Sequence, residues 1–101
     1  MARADRTDPR FSPGDTVVVR ALYPLGHVRT PYYIRGKRGV IERRCGVYGN
    51  PEELAYARPG LPKQPLYRVR FLQRDVWPGY RGCAEDTVDV EIYQHWLEPG
   101  R

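Results

Sequence analysis

A chain of 101 residues, 41% of them hydrophobic and with eight tyrosines and two tryptophans, makes one small folded domain rather than a disordered segment, with only about 60–65% of its unfolded surface hidden on folding. Fifteen of the 17 basic residues are arginine and the net charge is +5, a balance that attracts nucleic acid, an acidic protein surface or an anionic centre, and that a genome-wide bias toward arginine also produces. No apolar stretch follows Met1 and no long apolar run occurs, so neither a signal segment nor a bilayer span is indicated and the expected location is cytoplasmic.

Residues 1–10 are polar, charged and interrupted by Pro9, and are expected to be a tail that orders only against a partner; the domain is expected over residues 11–101. A turn at Phe11–Asp15 opens Thr16–Arg20, whose β-branched residues predict a strand. Pro24, Gly26 and Pro31 then break regular structure, so a long irregular loop connects this strand to the next, predicted over Gly39–Arg43. The segment from Gly46 to Pro65 is rich in Gly and Pro, and only Asn50-Pro51-Glu52-Glu53-Leu54 carries a helix-start signature. Leu66–Phe71 alternates with period two, with Tyr67, Val69 and Phe71 on one face and two arginines on the other. Thr87–Ile92 repeats that pattern with acids outward, and a brief turn after it is expected to lay Trp96 and Leu97 on the core. Short strands divided by Gly and Pro turns predict an all-β fold, a small antiparallel barrel with long irregular loops.

No Ser/His/acid trio, phosphate-binding glycine loop or HExxH pattern is present, which argues against an autonomous enzyme. Cys45 and Cys83 are far apart in sequence, which excludes a local zinc knuckle or CxxC pair and leaves free thiols as the expectation, a single disulfide being the alternative. His27 is either a general base or a hydrogen-bonding residue that fixes its loop. Arg29, between two loop-breaking segments, either offers paired donors to a planar anion or is a solvated or Tyr-stacked arginine. Arg35, Lys37, Arg38, Arg43 and Arg44 form a basic run beside Tyr32 and Tyr33, which suits phosphate contact and base stacking or an ordinary charged edge. Trp77 and Trp96 are suited to anchoring an interface or to covering the barrel ends.

The segments FSPGDTVVVR (11–20), GHVRTPYYIRGKRGVI (26–41), PLYRVRF (65–71), DVW (75–77) and DTVDVEIYQHWLEPG (86–100), in this order and spacing, resemble the C-terminal domain of the nitrile hydratase β subunit, a family that includes the small subunits of thiocyanate hydrolase. The resemblance runs from about Phe11 to Gly100 and implies a barrel of the SH3-like type that embraces an α subunit. It implies that this chain binds no metal or other cofactor, and that a cobalt or iron ion sits in the partner α subunit among cysteines oxidised to sulfinate and sulfenate. The Gly-His-x-Arg-x-Pro motif places on Arg29 the arginine that bonds the oxidised cysteine oxygens, with His27 and Pro31 shaping the loop and Tyr32, Tyr33, Arg35 and Trp77 as interface candidates.

A second such arginine comes, in the family, from a helical N-terminal half of β that this sequence does not contain. With the start at Met1, the expectation is a β subunit split into two chains, as in thiocyanate hydrolase and the three-component toyocamycin nitrile hydratase, an isolated fragment being the other case. The implied partners are the metal-binding α subunit and a second small subunit equivalent to the β N-terminal half, and the implied reaction is hydration of a nitrile to an amide. Gly46–Gly60 departs from the family pattern, which leaves the substrate open. A thiocyanate hydrolase subunit, an accessory protein for metal-centre maturation and a basic nucleic-acid-binding barrel are the alternatives; the membrane is excluded and nucleic acid is disfavoured.

Overall fold

The elements run β1 (Thr16–Val19), β2 (Arg38–Tyr48), α1 (Pro51–Leu54), β3 (Gln64–Leu72), α2 (Gln73–Val76), β4 (Thr87–Tyr93) and β5 (Leu97–Pro99), with 3-10 turns at Tyr32–Ile34 and Gln94–Trp96. This is a computed structural model, and it describes residues 8–23, 28–61 and 63–100. All pairings are antiparallel within one five-stranded sheet of order β4-β3-β2-β1-β5. The all-β expectation holds and β1 bridges β2 and β5 as an SH3-like connectivity requires. Closure does not: among the described residues β4 and β5 do not pair, so the barrel is open along that side.

The core follows from alternation. Val17 and Val19 of β1, Ile41 of β2, Tyr67, Val69 and Phe71 of β3 and Ile92 of β4 all point inward and are buried, and Trp96 and Leu97 close the end as expected. Gly39 faces Val17 where β2 passes close over β3. A Cβ there would lie 2.7 Å from Val69 Cγ1 and 2.9 Å from the Arg70 carbonyl oxygen, so only glycine lets the backbones approach. Beyond Ile41, β2 runs to Tyr48, well past the predicted end at Arg43. Two register shifts, between Ile41 and Arg43 and between Arg44 and Gly46, disrupt period two and leave Val47 and Tyr48 exposed, which is why the sequence pattern stops short.

The outward residues of β3 and β4 meet in register: Arg68 lies opposite Glu91 and Arg70 opposite Asp89. Arg70 donates from Nε and Nη2 to the two Asp89 oxygens at 2.8 and 2.9 Å, a bidentate pair. The side-chain hydrogen bond from Arg70 holds the Asp89 carboxyl below its ordinary value, against a smaller opposing effect of burial.

A buried polar knot secures the N-terminal segment. The Tyr67 hydroxyl donates to Gln94 Oε1 at 2.6 Å and accepts from the Phe11 amide at 3.2 Å. Gln94 Oε1 also accepts from the Arg10 amide at 2.7 Å, and Gln94 Nε2 donates to the Asp8 carbonyl at 3.1 Å. Residues 8–10, assigned to a tail from composition, are therefore held by the domain's own glutamine.

Replacing Tyr67 by Phe strands the Phe11 amide and one Gln94 acceptor site in a buried setting, and is expected to cost about 1–3 kcal/mol in urea unfolding with the sheet retained. A loss indistinguishable from zero would contradict the knot's role. For Asp89 the folded value is depressed, so its stabilisation is fully present above the unfolded carboxyl value and disappears as pH falls through the folded one. Asp89→Asn is therefore expected to lower the urea midpoint at pH 7 and progressively less at acid pH, whereas an equal deficit at both pH values would show that the pair does not carry the effect.

Candidate functional site: a loop clamped by arginine

The β1–β2 connection is fixed at its base by backbone bonds, from Gly36 N–H to the Val19 oxygen at 2.8 Å and from Val19 N–H to the Lys37 oxygen at 2.9 Å. Gly36 has φ of +81°, a conformation that favours glycine in this turn. Pro31, extended at φ −61°, leads into the 3-10 turn Tyr32–Ile34, whose Ile34 is buried and anchors the loop to the core.

Arg35 ties the two limbs of the loop together. Its Nη1 donates to the Leu22 carbonyl at 3.0 Å and its Nη2 to the Thr30 carbonyl at 2.8 Å. The guanidinium carbon sits 4.9 Å from the Trp96 ring centroid, with the Tyr23 and Tyr32 rings at 5.6 and 5.9 Å. Trp96 is itself fixed, its Nε1 donating to Glu52 Oε2 at 2.7 Å while Glu52 Oε1 lies 3.0 Å from His95 Nε2. Asn50 caps α1 by accepting from the Glu52 amide at 3.0 Å, which sets that carboxylate in place.

Arg29 stands one residue before buried Thr30, so the clamp that holds the Thr30 carbonyl also fixes the backbone beneath Arg29. Its side chain is exposed and, among the described residues, makes no hydrogen bond or ion pair. Its charge reaches the phenol of Tyr93: burial raises the Tyr93 pKa, and Arg29 opposes that shift. An arginine carried on a fixed backbone, with its five donors unspent, is suited to an anion presented from outside the chain. His27 lies outside the described residues.

The interface candidates share a depression that Arg29 does not line. Tyr32, Tyr33, Arg35 and Trp77 share one open depression of about 320 Å³ with Lys37 and Pro78. Tyr33 and Trp77 stack at 4.9 Å with an interplanar angle of 26°, and the indole N–H is spent on Gln73 Oε1 at 2.6 Å. Tyr32 is 74% exposed. Arg29 does not line this depression. Arg35 differs from its expected role in that its Nη groups serve the fold, leaving the rings and Lys37 as the outward elements.

The basic run is likewise divided. Arg44 donates from Nε to the Phe11 carbonyl at 2.9 Å and from Nη2 to Ser12 Oγ at 3.0 Å, so it braces the N-terminal segment. Cys45 is half-buried and Cys83 exposed, both as free thiols. Among the described residues no three His, Cys, Asp or Glu side chains gather in a metal-ligating group. Sequence reasoning missed Glu52 and Tyr93. Glu52 reads as an ordinary first-turn acid, and its use as a brace depends on a fold that brings it to Trp96, 44 residues later.

Fold and site together define a small, open-sided all-β domain of SH3-like connectivity, with an exposed arginine on the β1–β2 connection and an aromatic ledge where that connection meets Trp77. The chain belongs to the family formed by the C-terminal domain of the nitrile hydratase β subunit; the match to that family covers residues 1–99. It is 37% identical over 93 residues to a nitrile hydratase subunit β of Pseudomonas chlororaphis, covering 89% of this chain and 40% of that protein. It is 31% identical over 90 residues to the cobalt-containing nitrile hydratase subunit β of Pseudonocardia thermophila, covering 89% and 38% respectively. The chain thus spans about two fifths of the length of these relatives. Among solved structures, a chain of the recombinant apo-enzyme of thiocyanate hydrolase from Thiobacillus thioparus superposes with a TM-score of 0.86 at 32% identity, over 92% of this chain and 78% of that one.

Arg35→Lys keeps one charge but cannot hold two carbonyls with a planar fork while stacking on Trp96. Loss of about 1.4 kcal/mol of local stability corresponds to a tenfold rise in the open population, so trypsin cleavage after Arg29 is expected to accelerate about tenfold or more with the global unfolding midpoint little changed. Unchanged cleavage would show that the clamp does not hold the loop.

Proposed function

We propose that this chain is a subunit of a nitrile hydratase-type enzyme that completes the active site of a metal-bearing α subunit through Arg29, and that it works in the cytoplasm. The observation that carries this is Arg29 itself: it occupies the arginine position of the family's Gly-His-x-Arg-x-Pro motif, on a backbone locked at Thr30, with its guanidinium unspent among the described residues. Family membership and the β-subunit relatives support the assignment.

In the proposed reaction a nitrile and one water molecule give an amide: the water oxygen bonds to the nitrile carbon, and its two protons end on the nitrogen. Family membership is the ground for assigning the cobalt or iron to the partner, where it would supply Lewis-acid chemistry. This chain supplies binding and orientation. The Arg29 N–H groups donate to the oxygens of the partner's oxidised cysteines, neutralising their charge and holding them in one geometry. Tyr93, within the field of Arg29, stands at the same edge. Pro31 and His27 shape the loop.

The β subunit is proposed to be split, with a second small subunit supplying the counterpart of the β N-terminal half. The match to 78% of a thiocyanate hydrolase chain, against 40% of a β subunit, supports a C-terminal half that exists as its own polypeptide in this family. The same structural likeness favours hydrolysis of thiocyanate as the second reading, in which the architecture is shared and the substrate differs.

In the assembled complex, Arg29→Lys retains charge but loses the fork, and is expected to lower turnover about 10–100-fold with assembly intact. Parallel assays with an aliphatic or aromatic nitrile and with thiocyanate separate the two substrates. Wild-type turnover by a fully assembled Arg29→Lys complex would overturn the role given to Arg29.

A further inference from the structure

Arg29 does not line the aromatic depression, which the chemistry proposed above leaves unused. Its makeup is specific. Tyr33 and Trp77 form a stacked ledge, the Trp77 N–H is already satisfied by Gln73, and the ring therefore offers its apolar body. The hydroxyls of Tyr23, Tyr32 and Tyr33 have no partner among the described residues, so three donors rim an otherwise apolar surface. Pro78 adds a rigid apolar wall beside the ledge.

Charge identifies the occupant. Among the described residues, Arg35 and Lys37 are the only charged ones lining the depression, so what charge it carries is positive. The two Nη groups of Arg35 are taken by the Leu22 and Thr30 carbonyls and its face is packed on Trp96, which leaves it little to offer a ligand. Lys37 is different. Its backbone is fixed by bonds to Ile34 and Val19, while its ammonium makes no hydrogen bond or ion pair among the described residues. A single unspent cation beside stacked rings and free phenol donors matches an extended chain with apolar side chains on the ledge, carbonyls toward the phenols and a carboxylate at Lys37.

We infer that this depression is the docking site for an extended, acid-bearing segment of a partner subunit, seated on Tyr33 and Trp77 and fixed in register by an Asp or Glu on Lys37. The assignment rests on the proposal that the chain works within a heteromeric enzyme. It adds a second contact, on the same β1–β2 connection but not lined by Arg29, that holds the partner without taking part in the chemistry.

A photoreactive benzoylphenylalanine placed at the exposed Tyr32, in the complex purified through this chain from its native host, tests the assignment. The expected result is an adduct that mass spectrometry maps to an extended segment containing Asp or Glu in a co-purifying subunit. Lys37→Glu is then expected to weaken assembly about tenfold or more, in a salt-dependent manner, with Arg43→Glu as a charge-matched control that does not. Reversal of the mapped acid to lysine should restore assembly to Lys37→Glu. An assembled complex that gives no adduct from Tyr32, an adduct on a segment without an acid or on a second copy of this chain, or unchanged assembly of Lys37→Glu would overturn the docking site while leaving the enzyme assignment standing. Purification of this chain with no other subunit would overturn both.

Discussion

The position of the β1–β2 connection depends on one guanidinium. Arg35 bonds the Leu22 and Thr30 carbonyls at once and stacks on Trp96, so the two limbs of an irregular connection are joined to each other and to the core. Hydrogen bonds from a charged donor contribute about 1.5–3 kcal/mol each, and a partly desolvated cation over an indole adds up to about 2 kcal/mol. These terms oppose local opening of the connection rather than unfolding of the sheet. The same residue also lines the aromatic depression.

Behind Arg35 the support continues inward through a short series of polar contacts. The Asn50 cap sets Glu52, Glu52 holds Trp96, and Trp96 provides the face on which Arg35 rests. A single-turn helix too short to be stable alone thereby positions a carboxylate that matters far away in sequence. The sheet provides the other support: β1 lies between β2 and β5, and the buried Ile34 pins the loop directly to the core. Against this background the exposed Arg29 makes no hydrogen bond or ion pair among the described residues, which suits the contact proposed for it.

Much of the sheet was legible because its signals are local. The alternation of Tyr67, Val69 and Phe71 and of Val88, Val90 and Ile92 predicted β3 and β4, and the Asn50-Pro51 start predicted α1. The outer half of β2 was not, because its bulges and the arginines of an exposed edge erase the period of two. Nor was β5, three residues whose strand character comes from pairing with β1 rather than from propensity. Within the site, Tyr32, Tyr33, Arg35 and Trp77 could be named as interface candidates, but neither their sharing of one depression nor the division of roles among them. That division depends on where carbonyls fall: two face Arg35 and none of the described groups faces Lys37. Long-range partners such as Glu52 with Trp96 leave no periodic trace at all.

The most direct test of Arg29 as one chain's contribution to a shared active site is the composition of the native complex isolated through this chain, measured as intact mass and metal content together with nitrile turnover. The expected result is a stable assembly with a metal-bearing subunit and a second small subunit, near-stoichiometric cobalt or iron, and conversion of nitrile to amide. A metal-free monomer, obtained after expression with the neighbouring genes, would contradict it.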